Sequence, residues 1–197
     1  MTQSAFDRSS QNVGNILALE HVNITVPDQA LATLFYVGGI GLTRDPYIDF
    51  GAFNVWINAG EQQFHLPTNK PQQIRGHVGV VVPDLDDLES RLMRLAKRLD
   101  GTRFGYKRLK RRIDVTCPWG NRIQCYNPGD FGTIELGIPY VELNVPDGSA
   151  AGIARFYTEI MRAPAKVIDR TCHVAIGKHQ ELRFHETRSP IPAYDGH

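Results

Sequence analysis

The sequence has no apolar run near the ~20 residues that span a bilayer. Its polar opening, residues 1–16, has no apolar stretch of the secretory kind. The expectation is a soluble, cytoplasmic protein with no membrane partner and a loose tail over 1–16. Cysteine is scarce. Cys117, Cys125 and Cys172 form no CxxC pair, which argues against a disulfide framework and against a cysteine zinc site. Neither charge sign dominates: 22 Lys+Arg face 21 Asp+Glu, for a net charge of +1. Bulk attraction to nucleic acid is therefore not expected. The one dense basic run, Lys107–Arg112, reads as a solvated loop or a charge-protected edge strand. Glycine motifs of phosphate loops, dinucleotide sites and nucleophile elbows are missing as well.

What is present is an ordinary globular composition. With 42% hydrophobic and 22% charged residues in 197, the chain can form one large or two small domains.

Internal repetition organises it. Three segments open alike: His21 to Asp28 (HVNITVPD), His77 to Asp84 (HVGVVVPD) and Tyr140 to Asp147 (YVELNVPD). Alternating β-branched residues predict a strand, proline ends it, and the aspartate caps a following helix. The second helix is the clearest. Leu85, Leu88, Leu92, Leu95 and Leu99 make one apolar face, with acids in the first turn and bases in the last. Ile153, Phe156, Tyr157 and Ile160 predict the third helix. Leu31, Leu34, Phe35 and Val37 predict the first, stopped at Gly38-Gly39. Short apolar pieces follow each helix, so each unit reads strand, helix, about three strands. Above this lies a longer offset of about 120 residues. It relates Phe35-Tyr36 to Phe156-Tyr157, Gln63–His65 to Arg183–His185, and Gly76-His77 to Gly196-His197. The expected division is a paired double unit over 17–136 and an incomplete, unpaired third unit over 137–197.

These features resemble the vicinal oxygen chelate superfamily of glyoxalase I, extradiol dioxygenases and bleomycin-resistance-type binding proteins. The carrying residues are Leu19–Asp28 (LEHVNITVPD), the Phe35-Tyr36 helix and Pro118–Tyr126 (PWGNRIQCY). The resemblance implies an α+β fold of tandem βαβββ modules. Their sheets form a cup around a divalent metal (Fe, Mn, Zn or Ni), with helices outside. It implies ligands on the first and last strands: His21, His65, His77 and, where the family has glutamate, Gln124. Strand alternation independently puts His21, Asn23 and Thr25 on one face. Imidazoles on adjacent strands suit such metals and leave positions open for substrate. A hydrogen-bonded structural role is the alternative for each histidine.

Gln124 separates the possible chemistries. Extradiol cleavage and glyoxalase-type isomerisation both use a glutamate, and an amide cannot act as a proton-abstracting base. Glu135 is either a displaced carboxylate or a linker residue. In the third unit Tyr140 replaces the histidine. Tyr140, Glu142 and His185 join Asn23 and Thr25 as candidate substrate contacts. Trp56, Trp119, Phe64 and Tyr126 line a pocket or fill the core. The resemblance implies a metalloprotein acting on a small vicinal-oxygen substrate, ring-cleaving-dioxygenase-like or glyoxalase-like. The alternatives are a non-catalytic binding protein of the bleomycin-resistance type and a truncated inactive relative. The half-cup expected of the third unit suggests a homo-oligomer.

Overall fold

Each unit forms as the repeats predict, a strand and a helix followed by three strands, in a computed structural model that describes residues 16–48 and 50–193. Most of the expected tail and the Gly196-His197 match lie outside the described residues. Unit 1 comprises β1 (His21–Asn23), α1 (Gln29–Thr33), β2 (Thr43–Arg44), β3 (Asn54–Ala59) and β4 (Gln62–Pro67). Unit 2 comprises β5 (Gly76–Val81), α2 (Leu85–Leu95), β6 (Gly105–Arg108), β7 (Arg112–Thr116) and β8 (Arg122–Tyr126). Unit 3 comprises β9 (Gly137–Pro146), α3 (Ala150–Glu159), β10 (Ala165–Ile168), β11 (Thr171–Gly177) and β12 (Gln180–Thr187). Two of the three predicted caps form: Asp28 accepts from Leu31 N–H, and Asp84 accepts from Asp86 and Asp87 N–H. Asp147 does not cap α3; it pairs with Arg170 and Arg188, and Glu186 accepts from Ala150 N–H instead. None of these helices is long and apolar enough to cross a membrane.

The pairing of units differs from the expectation. Unit 1 makes its own four-stranded sheet, in the order β1-β4-β3-β2. Units 2 and 3 share an eight-stranded sheet, β10-β11-β12-β9-β5-β8-β7-β6. They join where β5 and β9 run antiparallel, with His77 opposite Glu142 and Gly79 opposite Tyr140. The third unit is therefore paired, and 17–136 is not a cup. The physical reason is that β5 has only one open edge. β8 takes one side, β9 takes the other, and unit 1 is left to pack through its helix.

That helix packing includes two glycines read from sequence as a stop. The chain continues helically past α1 as a wider π-type turn over Leu34–Ile40. A β-carbon on Gly38 or Gly39 would lie 3.4 Å from Leu95 Cδ1 of α2. That is ordinary van der Waals contact, so the pair lies against α2 without the crossing requiring glycine. The stop is Gly41, at φ +87°, a region that favours glycine. Arg91 of α2 braces the crossing by donating to the carbonyls of Gly39 and Ile40.

Units 1 and 2 consequently share one core. It runs from Ile24, Phe35, Tyr36 and Phe64 to Val80, Leu88, Leu92 and Ile113. Unit 3 has a smaller cluster of Ala150, Ala163, Cys172, Val174 and Ile176, and Leu19 and Leu182 pack against both. Two buried amides tie unit 1 to unit 3. Gln62 Oε1 accepts from Ile138 N–H (2.9 Å). Gln180 accepts from Leu19 N–H (3.1 Å) and donates to Ile138 O (3.0 Å) and Leu19 O (3.3 Å). All three cysteines are buried and free.

Candidate functional site

In each unit the first strand pairs in parallel with the last, and the three registers agree. Asn23 pairs with His65, Gly79 with Gln124, and Glu142 with Arg183. Each left-hand member lies two residues past His21, His77 or Tyr140. The residues equivalent to His65 are thus Gln124 and Arg183. His185, chosen from the sequence offset, is two residues too far along β12. It faces Thr171 instead, with Nδ1 2.9 Å from the hydroxyl.

The predicted histidine trio is divided between two sheets. His77 belongs to the complete cup of units 2 and 3, whereas His21 and His65 belong to unit 1. Among the described residues no group of three or more His, Cys, Asp or Glu side chains is poised for a metal.

The centre of the complete cup is a hydrogen-bonded triangle. Gln124 Oε1 accepts from the hydroxyls of Tyr126 (2.7 Å) and Tyr140 (2.8 Å), which are 2.9 Å from each other. Two hydroxyl protons serve three short contacts, so at most two edges are hydrogen bonds at one time. His77 Nε2 lies 3.2 Å from the Tyr140 hydroxyl, and Nδ1 lies 3.7 Å from Glu142. The Arg183 guanidinium lies 3.8 Å over the Tyr140 ring and 5.9 Å from that of Phe131. Its Nε donates to Glu181 (2.8 Å), which also meets His173 (3.1 Å). Tyr140 reaches the triangle by lying across Gly79, where a side chain would not fit.

Burial sets the protonation of these groups. It pushes the Tyr140 phenol far up, helped by its hydrogen bond with Tyr126, so the hydroxyl stays neutral. It pulls the His77 imidazole below its ordinary value. Glu142 opposes this in part, while Arg122, Arg183 and Arg112 reinforce it. Burial alone would raise Glu181, but hydrogen bonds from His173 and Arg183 outweigh it and hold the carboxyl low.

This donor set does not fit a metal. Both lone pairs of the Gln124 carbonyl face tyrosine hydroxyls, Tyr140 is held protonated, and a guanidinium has no lone pair to give. Only His77 remains a good ligand of the four equivalent positions.

Unit 1 has the opposite chemistry. His21 and His65 lie edge to face, 5.9 Å between ring centroids. Trp56 stacks on His65 at 4.0 Å and meets His21 at 5.2 Å. His21 Nδ1 is 2.6 Å from Glu20, a contact that orients the ring. Asn23 Oδ1 and Trp56 Nε1 are buried here with no hydrogen-bond partner among the described residues. Thr25 does not join this face. It is buried, and its hydroxyl donates to Lys70 O (2.7 Å). Trp56 stacks on His65 and Tyr126 belongs to the triangle, whereas Phe64 lies in the core. Glu135 is an exposed linker residue. The Lys107–Arg112 run is shared between the edge strand β6 and the start of β7. There Arg108 pairs with Asp86, Arg111 with Asp130 and Arg112 with Asp114.

No family model and no curated protein matches the sequence. Solved structures do match. A chain from Bacillus subtilis named as a candidate dioxygenase superposes with a TM-score of 0.61 at 14% identity, over 88% of this chain and 65% of its own. Glyoxalase I from Zea mays superposes with a TM-score of 0.58 at 14% identity, over 86% of this chain and 66% of its own. This chain has the vicinal oxygen chelate fold. It spans about two thirds of the length of these two neighbours. At such identities the likeness speaks for the fold, and function has to be read from the sites. The cup joined at β5 and β9 has one histidine, His77, at its four equivalent positions, and unit 1 has His21 and His65 at its two. Sequence reasoning missed Arg183 and Glu181, and named Tyr126 only as a pocket or core aromatic. Arg183 emerges from the strand register, two residues beyond the opening His, His or Tyr of each unit.

Proposed function

We propose that this protein binds a small organic molecule in the complete cup of units 2 and 3, and does so without a metal there. The carrying observation is the Gln124 carbonyl, which accepts from Tyr126 and Tyr140 where a metal-binding carboxylate is expected. Arg183 at the fourth position supplies a fixed positive charge in place of the ion. This favours the binding-protein reading over a ring-cleaving or glyoxalase-like reaction in this cup. No residue at the four positions is a carboxylate base, and the low-lying His77 is enclosed by Tyr140 and Glu142.

A specific observation supports a second, metal-dependent reading for unit 1. His21 and His65 offer two imidazoles on one face, beside Trp56. Two ligands are fewer than the three or four a zinc-type site uses. The rest would come from a chain that faces β1, which would also make the protein an oligomer when metal-loaded. A metal there would act as a Lewis acid on a substrate oxygen. The residues of this chain would hold the ion and stack against the substrate.

Metal analysis after reconstitution with Ni(II), Zn(II), Mn(II) or Fe(II) separates the sites. Any bound metal should be lost in His65→Ala and retained in His77→Ala. Metal lost on His77→Ala and kept on His65→Ala would overturn the metal-free cup.

A further inference from the structure

We propose that the complete cup is a carboxylate site, in which Arg183 grips a small organic acid whose apolar body lies beside Phe131. This rests on the metal-free reading of the cup and names its ligand class.

Three observations lead there. The first is the pre-set guanidinium. Its face rests on Tyr140 at 3.8 Å, and its Nε is tied to Glu181 at 2.8 Å. Of its five N–H groups, only Nε–H meets a protein acceptor among the described residues. The remaining edge has the fork geometry that matches a carboxylate with two parallel hydrogen bonds. The side chain is only 21% exposed, so water competes less for that edge than it would on an open surface.

The second observation is space. A cavity of about 350 Å³ opens beside the guanidinium, at the Phe131 end of the cup and apart from the triangle; Phe131, Pro139 and Ala175 give it an apolar side, and His179, Gln180 and Glu181 a polar one. That volume is at the small end of ligand pockets, which run from roughly 300 to 1,000 Å³. It suits a compact acid whose apolar or aromatic body rests against Phe131.

The third is charge balance. Two carboxylates also border the cavity, but both are committed. Asp130 pairs with Arg111, and Glu181 is held by His173 and Arg183. The neighbouring bases are committed as well. Arg112 pairs with Asp114, and Arg122 donates to the Gly76 carbonyl. The Arg183 charge is already shared with Glu181, so what is left is one guanidinium edge without a protein acceptor, wide enough for one carboxylate. With Asp130 and Glu181 also bordering the cavity, a singly charged carboxylate is repelled less than a doubly charged phosphate ester.

The test is calorimetric titration of the full chain, in EDTA, with benzoate and with its neutral analogue benzamide. Benzoate should bind, and benzamide should bind at least tenfold more weakly. Arg183→Met should weaken benzoate at least tenfold while leaving benzamide unchanged. Arg183→Lys keeps the charge and loses the fork, and should give an intermediate loss. It carries the test alone if Arg183→Met does not fold. No benzoate binding, equal binding of benzamide, or undiminished binding by the folded variant would overturn the carboxylate assignment. A failure of the metal-free reading is distinguishable from these. It would show as metal uptake abolished by His77→Ala, whatever benzoate does.

Discussion

Tyr140 lies across Gly79 so closely that a β-carbon there would sit 2.3 Å from its Cε1 atom. Glycine at this point of β5 is what lets the phenol reach Gln124 from the neighbouring unit. Gly79→Ala should therefore expel Tyr140 from the triangle. Overpacking of this kind costs about 1–3 kcal/mol, and urea unfolding should show that loss. Tyr140→Phe in the Gly79→Ala background should then add little, because the hydroxyl has already lost its partners. Full additivity of the two changes would contradict this geometry.

His77 should make stability depend on pH. Its folded pKa lies below the ordinary imidazole value of about 6.5 because burial disfavours the charged ring. Between the two values the unfolded chain binds a proton that the folded chain does not. Stability is therefore full above about pH 6.5 and falls on acidification until the folded pKa is passed. Glu181 and Asp147, whose carboxyls are held low, lose their contributions only at more acidic pH. Urea midpoints compared at about pH 7.5 and about pH 5.5 should differ less in His77→Gln than in the parent. An unchanged difference would show that His77 does not carry this limb.

The amides of Gln62 and Gln180 meet the same residue, Ile138, one at its N–H and the other at its carbonyl. Gln180→Ala leaves buried backbone groups of Leu19 and Ile138 without these bonds, at a cost of about 1–3 kcal/mol. The double variant with Gln62→Ala should be non-additive by at least about 0.5 kcal/mol, as neighbours sharing a partner are. Thermal or urea unfolding of the four chains measures it.

Much of the fold was legible because the repeats carry it. Strand alternation, the Pro-Asp breaks and the leucine face of α2 are local signals, and each formed where the spacing put it. Which unit pairs with which is a non-local choice. Nothing in the residues of β5 says whether its free edge meets β1 or β9. Local reading also stopped the first helix at Gly38-Gly39, whereas it runs on to Ile40 and ends at Gly41. At the site, His77, Gln124 and Tyr140 were found from strand position, as were His21 and His65. Arg183 was not, because the sequence offset aligned Phe64 with Phe184. The hydrogen bonds instead set Phe64 opposite Val22 and Phe184 opposite Leu143, a slip of two residues relative to the opening of each unit. In a sheet a slip of two keeps every side chain on its face, so alternation gives no warning of it.

The buried amide ties and the helix crossing have one more consequence. They hold unit 1 against units 2 and 3 from two sides, through Ile138 and through α2. The face carrying His21, Trp56 and His65 is thereby ordered before anything docks on it. A molecule that docks on it meets a rigid template and need not fund the ordering of a floppy one, so its affinity would be governed by contact quality and its arrival rate by diffusion and orientation.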